Sequence, residues 1–168
     1  MNQNNPVIKA MKTAAKMLQN CSININCTRT ALKPEKIREA AEFVCSRHGN
    51  SEITISITIL NNKDTAELNR KYLNHNWATD CISFELSDEH DHQKRVFEII
   101  VNAEKAAEEA KARNHSPESE LLLYIIHGLL HHLGFDDAQG EQAKLMHEEE
   151  DSILKKLGYG TIFYHGNQ

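Results

Sequence analysis

Two histidines four residues apart, His127 and His131, sit in a segment whose other positions are almost all apolar. At about 100° per residue a helix brings such a pair one turn apart on one face, with Glu120 and Tyr124 on the same side. Gly134 follows at once, a residue suited to the left-handed turn that ends a helix, and Phe135-Asp136-Asp137 then returns the chain toward the histidine face. Two neutral imidazoles and one carboxylate from that turn make a three-ligand set that leaves a position for water, the pattern of a catalytic zinc. A dication held there lowers the pKa of its bound water toward neutrality and polarises a phosphoryl or carbonyl oxygen. The chemistry this spacing points to is therefore hydrolysis without a protein nucleophile. The alternative is a pair that is only packed and hydrogen-bonded, and Gly134 with the double Asp favours the metal. Gly128 stands where a zincin peptidase needs its glutamate base, which argues against peptidase chemistry. A glycine there lets another element or a substrate backbone come close.

The elements that must position these groups follow from periodicity. Leu121, Leu122, Ile125, Ile126, Leu129, Leu130 and Leu133 put two apolar stripes on a helix over 118–133, which must lie deep in the fold. Alternation over 22–28 and 53–60 predicts strands with one buried face, and two further strands are expected over 81–86 and 96–101. Pro34 opens a helix with Ile37, Ala40, Ala41, Val44 and Cys45 on its apolar side and Gly49 at its end. Asn61 or Asn62 caps another, an Ala/Glu/Lys helix runs over 103–113, and a last one over 140–157. The order indicates a mixed sheet covered by helices rather than a regular doubly wound fold. Residues 1–20 are polar, with Ile8, Met11, Ala15 and Leu18 at helical spacing, and read as an N-terminal extension to a single domain over 21–168.

The 168 residues, 40% hydrophobic, suffice for one core without disulfides or a structural metal. With 24 acidic against 19 basic side chains the net charge is −5, which argues against holding nucleic acid by bulk electrostatics but leaves room for a local basic groove. Cys21, Cys27, Cys45 and Cys81 form no Cys-x-x-Cys pair and read as reduced thiols. No signal-peptide core or 18-residue apolar stretch is present, so a cytoplasmic location and no membrane partner are expected. Of the ten histidines, His132 points about 100° away from His131, and His90, His92, His147 and His165 have no partner at ligand spacing, so these read as structural or solvated. The run Glu148-Glu149-Glu150-Asp151 reads as a solvated face. Trp77 is the sole tryptophan, either a platform on which a planar ligand stacks or the anchor of its loop. Asp80 is either a base or substrate-positioning group or the cap of a turn. No Ser/Cys triad and no phosphate-cradling glycine loop is evident.

The run His127-Gly128-Leu129-Leu130-His131-His132-Leu133-Gly134-Phe135-Asp136-Asp137 resembles the His-Gly-x-Leu-His-Leu-x-Gly-Tyr-Asp-His signature of the YbeY family. A second block, Leu68-Asn69-x-x-Tyr72 followed by Thr79-Asp80-Cys81-Ile82-Ser83-Phe84, resembles that family's Leu-Asn-x-x-Tyr-Arg and Thr-Asp-Val-Leu-Ser-Phe at the same spacing. The stretch Ile99 to Ala107 and the closing helix, with Met146, Glu149, Ile153, Leu154, Leu157 and Gly158, extend the resemblance to roughly residues 22–159. It implies an α+β fold, a mixed sheet of about four strands packed with helices and the metal site at the end of the central helix, and a metal-dependent, single-strand-specific endoribonuclease of ribosomal RNA maturation, including the 3′ end of the small-subunit RNA, and of ribosome quality control. By register it implies His127, His131 and Asp137 as ligands of one Zn2+ or another divalent metal. The metal-bound water would be the attacking group, with Asp80 and Asp136 assisting, Asp136 either orienting a ligand or competing with Asp137 as one. Arg70, Lys71 and Trp77 are the candidate substrate contacts, Trp77 as a base-stacking platform for single-stranded RNA. Single-stranded RNA, ribosomal RNA or the small subunit, and a ribosomal protein or assembly GTPase are the implied partners.

Three positions depart from the pattern. Asp137 stands where the family has its third histidine, which lowers the net positive charge of a bound ion. Leu73 replaces an arginine that would contact phosphate, a role open here to Arg70, Lys71 or His75. Phe97-Glu98 replaces a Gly-Asp pair. These departures leave a second reading, a ribosome-assembly binding factor with a structural or weakly active metal site, and a third, a metal hydrolase of a small phosphoester.

Overall fold

The computed structural model describes residues 21–27, 30, 32–49, 52–74, 76–88, 90 and 94–163. The helix expected within residues 1–20, and His75, His92 and His165, lie outside the described residues. The elements run β1 (Cys21–Cys27), α1 (Pro34–His48), β2 (Glu52–Leu60), α2 (Asn62–Tyr72), β3 (Cys81–Glu85), β4 (Lys94–Asn102), α3 (Ala103–Arg113), α4 (Pro117–His132) and α5 (Gly140–Lys156). The sheet has the order β1-β2-β4-β3, with β1, β2 and β4 parallel and β3 antiparallel at one edge. This is the mixed four-stranded α+β arrangement that the resemblance implies and the periodicities allow, with β4 starting two residues earlier than its apolar run.

Strand β2 shows why the sheet has one covered face. Ile53, Ile55, Ile57 and Ile59 are all essentially buried, while Thr54, Ser56 and Thr58 between them are only half-buried. Each buried isoleucine contributes about 1.5–3 kcal/mol of transfer free energy. Phe97, Ile99 and Val101 of β4 continue that face, and α1 and α4 pack into the same core. Helix α4 is its spine, with buried side chains all along Ser119 to Ile126 and again at Leu129 and Leu130. Ser116 caps it by accepting the Ser119 N–H at 3.1 Å, and Pro117 opens its first turn. It closes as Gly134, at φ +100°, lets the Phe135 N–H reach back to the Leu130 carbonyl at 3.0 Å. Gly128 is where α4 presses on the sheet, since a Cβ there would lie 3.2 Å from both Cys81 Sγ and Ile99 Cδ1. Among the described residues no helix is long and apolar enough to cross a membrane.

Two buried asparagines shape the loop that leads into β3. Asn69 donates to the Trp77 carbonyl at 2.6 Å and to Thr79 Oγ1 at 3.2 Å. Asn102 caps α3 through the Glu104 and Lys105 N–H groups and donates to the Thr79 carbonyl at 3.2 Å. Thr79 and Asp80 are thus held beside the start of α3 and the rim of α4.

Candidate metal centre

His127 and His131 meet at the C-terminal end of α4, their Nε2 atoms 3.1 Å apart. Asp137, returned by the turn after Gly134, lies 3.3 Å from His131 Nε2 through Oδ1 and 3.6 Å from His127 Nε2 through Oδ2. Potential donor atoms of the three residues all fall within 4.8 Å of one another. Ligands about 2.0–2.1 Å from a tetrahedral zinc are about 3.3 Å apart, so these separations are those of a ligand set.

The outer nitrogens make the fit stronger. His127 Nδ1 faces Glu150 Oε1 at 2.7 Å, and His131 Nδ1 faces the Phe135 carbonyl at 3.2 Å. A carboxylate and a carbonyl are acceptors, so each imidazole carries its proton on Nδ1 and presents a lone pair at Nε2. Two facing lone pairs beside a carboxylate repel unless a proton or a cation sits among them. Burial of His127 opposes its protonation, but the hydrogen bond and charge of Glu150, with the charge of Asp137, outweigh it and raise its pKa.

Glu150 corrects one sequence expectation. The run Glu148-Glu149-Glu150-Asp151 is not a solvated face: Glu150 is 0% and Asp151 4% exposed, and Glu149 pairs with Arg47 and His48 of α1. Only Glu148 of the four is exposed. The second oxygen of Glu150 faces His147 Nδ1 at 2.9 Å, so His147, which looked unpartnered, is held by the carboxylate that holds His127. His132 does turn away, stacking on the buried Phe97 ring with centroids 4.6 Å apart. The signal for Glu150 was present, since Met146, Glu150, Ile153, Leu154 and Leu157 share one helical stripe, and a carboxylate in an apolar stripe needs a partner.

A cleft of about 300 Å3 opens beside this centre. His127 and Asp137 line it together with Asp80, Cys81, Lys105, Glu109, Arg113, Glu120, Tyr124, His147 and Phe163. Burial, and then the charge of Glu120, pushes the Tyr124 hydroxyl pKa up. Burial, and then Asp80, pushes the Cys81 thiol up to about 12. Asp80 also accepts the Cys81 N–H at 2.8 Å, so it caps the entry to β3 while lining the cleft. Asp136 instead accepts the Ala138 N–H at 3.0 Å within the exposed turn. Arg70, Lys71 and Trp77 do not line the cleft. Trp77 is 65% exposed, which removes the reading of it as a buried core anchor; the loop is pinned through its carbonyl by Asn69. The cations that do line the cleft, Lys105 and Arg113, come from the Ala/Glu/Lys helix α3. A larger cavity, about 420 Å3, is apolar and is bounded by Leu68, Tyr72, Leu73, Phe84 and Ile100 with Glu98, away from the convergent titratable groups. Leu73 therefore borders that cavity and not the metal cleft. Glu98, the acid of the altered Gly-Asp pair, accepts the Thr58 hydroxyl there at 3.1 Å.

Fold and site together define an α+β protein with a two-histidine, one-carboxylate centre at the end of a buried helix. The family model described as Endoribonuclease YbeY matches residues 20–158. The Endoribonuclease YbeY of Carboxydothermus hydrogenoformans is 34% identical over 122 residues, 73% of this chain and 84% of that protein. That of Lysinibacillus sphaericus is 35% identical over 135 residues, covering 75% and 85%. The solution structure of TM1509 from Thermotoga maritima has the same fold, with a TM-score of 0.58 at 22% identity over 80% of this chain and 90% of that one. The chain belongs to the YbeY endoribonuclease family.

Proposed function

We propose that the protein is a metal-dependent endoribonuclease that cuts single-stranded RNA in ribosomal RNA maturation, including the 3′ end of the small-subunit RNA, and in ribosome quality control. The observation that carries the metal dependence is the pair of Nε2 atoms 3.1 Å apart beside Asp137, each ring facing an acceptor at its Nδ1. His127, His131 and Asp137 would hold one divalent ion, zinc by the donor set. Such an ion supplies Lewis acidity toward a phosphoryl oxygen and makes a water acidic enough to attack at neutral pH.

The chain's own residues prepare that step. Glu150 accepts the His127 Nδ1 proton and keeps the ring's lone pair directed at Asp137 and His131. The Phe135 carbonyl does the same for His131. Asp80, on the cleft wall, would be the group to receive a proton from the attacking water, while Asp136 shapes the turn that presents Asp137. Lys105 and Arg113 give an otherwise acidic cleft its positive charge toward the RNA backbone, and Arg70, Lys71 and Trp77 extend the contact to flanking nucleotides outside it. Ribosomal RNA or the small subunit is the partner, with a ribosomal protein or an assembly GTPase presenting it. The test is incubation of the metal-loaded protein with a precursor small-subunit RNA and with the same region annealed into duplex. Trimming of the single-stranded form, lost on chelation, is expected; equal cleavage of the duplex, or cleavage indifferent to chelator, overturns the reading.

A further inference from the structure

The segment after α5 brings a ring to the metal cleft from beyond residue 158, where the family match ends. Phe163 stacks on His147 with centroids 4.1 Å apart and planes at 22°, and both side chains line the cleft that contains His127 and Asp137. Adjacent carboxylates of α5 hold the pair. Glu150 fixes His147, and Asp151 accepts the backbone N–H groups of Ile162 at 2.6 Å and Phe163 at 3.2 Å. Ile162 is buried in the core, whereas Phe163 stays 39% exposed. Ile162 and Asp151 therefore anchor the segment, and anchoring alone gives no reason for an exposed aromatic ring at the next position. A ring pair fixed at the edge of a cleft that also carries Lys105 and Arg113 combines a π-face with cations, the two elements that hold single-stranded nucleic acid.

We propose that Phe163, backed by His147, is a nucleobase platform on which one base of the RNA substrate stacks beside the metal centre. The proposal rests on the ribonuclease reading and adds to it a base subsite whose outer ring, Phe163, lies outside the family match while its backing ring, His147, lies within it. Stacking tolerates any base, so the subsite selects unpaired RNA and not a sequence.

The test measures binding of metal-loaded protein to a fluorescent phosphorothioate oligoribonucleotide that resists hydrolysis, and to a series in which each base in turn is replaced by an abasic site. For the wild type, removing the base at one position is expected to weaken binding about 5- to 150-fold. Phe163→Ala and Phe163→Leu should weaken the intact RNA by the same factor and flatten the abasic series, whereas Phe163→Trp should retain it. Leucine keeps apolar bulk without a π-face, so it separates stacking from anchoring, with thermal midpoints and metal content recorded for every variant. Wild-type-like binding by Phe163→Leu overturns the platform. So does equal weakening of intact and fully abasic RNA by Phe163→Ala. Failure of the wild type to bind any RNA overturns both the platform and the ribonuclease reading. Metal-dependent cleavage by the wild type with unaltered binding in Phe163→Ala and Phe163→Leu overturns the platform alone.

Discussion

Replacing Glu150 with alanine removes the group on which the histidine geometry depends, and its cost can be worked from the structure. The carboxylate is fully buried and takes one hydrogen bond from His127 at 2.7 Å and another from His147 at 2.9 Å. Breaking a buried charged network by removing one partner costs about 3–5 kcal/mol. His127 and His147 keep 28% and 30% of their side-chain surface exposed, so water recovers part of the loss and the low end, about 3 kcal/mol, is expected. For a domain of this size each kcal/mol moves the melting midpoint by about 2–4 °C, so metal-stripped Glu150→Ala should melt about 6–12 °C lower than wild type. Metal affinity should fall by about 10- to 100-fold, because the ring is no longer oriented and its Nε2 is less basic. Glu150→Gln separates the two effects. Its amide keeps the volume and can bond to both rings if His147 changes tautomer, so stability should change little while affinity falls about tenfold. Calorimetric melts of stripped protein and zinc competition against a chelator read the two quantities. Wild-type affinity in both variants would refute the argument that Glu150 sets the ligand geometry.

Gly128→Ala sets a helix-propensity gain of about 1 kcal/mol against an overpacking cost of about 1–3 kcal/mol, because the new methyl lies 3.2 Å from Cys81 Sγ and Ile99 Cδ1. A net loss of about 1 kcal/mol is expected by urea unfolding, and a higher midpoint would contradict the close approach of α4 to the sheet. Asp137→His replaces an anionic ligand with a neutral one, so a bound ion keeps more net positive charge and the acidic limb of the pH–rate profile should move to lower pH; a shift to higher pH would count against Asp137 as ligand. The Cys81 thiol, pushed up to about 12 by burial and then Asp80, favours the folded state fully below the unfolded value near 8.5 and loses that contribution as pH rises toward 12. Wild type should therefore lose stability between pH 8.5 and 10.5 more steeply than Cys81→Ala, measured by thermal melts, and parallel curves would contradict it.

The parts of this structure legible in the chain are those set by local periodicity. The isoleucines of β2, the double apolar stripe of α4 and the positive-φ glycine after it each follow from residue type and spacing, and together they bring His127, His131 and Asp137 to one place. What escaped depends on contacts between elements remote in sequence. Glu150 and Asp151 resemble a solvated acidic run until α5 is seen to turn them inward, one toward α4 and the other toward the segment at 162–163. Lys105 and Arg113 lie in a repetitive charged helix, where nothing local distinguishes a cleft-lining cation from a solvated one. Trp77 drew attention by its type, yet its ring is exposed outside the cleft, and Phe163 occupies the edge instead.

The most direct test of the central claim is cleavage of a fluorescent single-stranded RNA by protein whose metal content has been determined, with wild type beside His131→Ala. One ion per wild-type chain is expected, with cleavage lost on chelation and restored by zinc, and a folded His131→Ala protein that neither retains the ion nor cuts. Stoichiometric metal without cleavage, or cleavage that survives in His131→Ala, would contradict it.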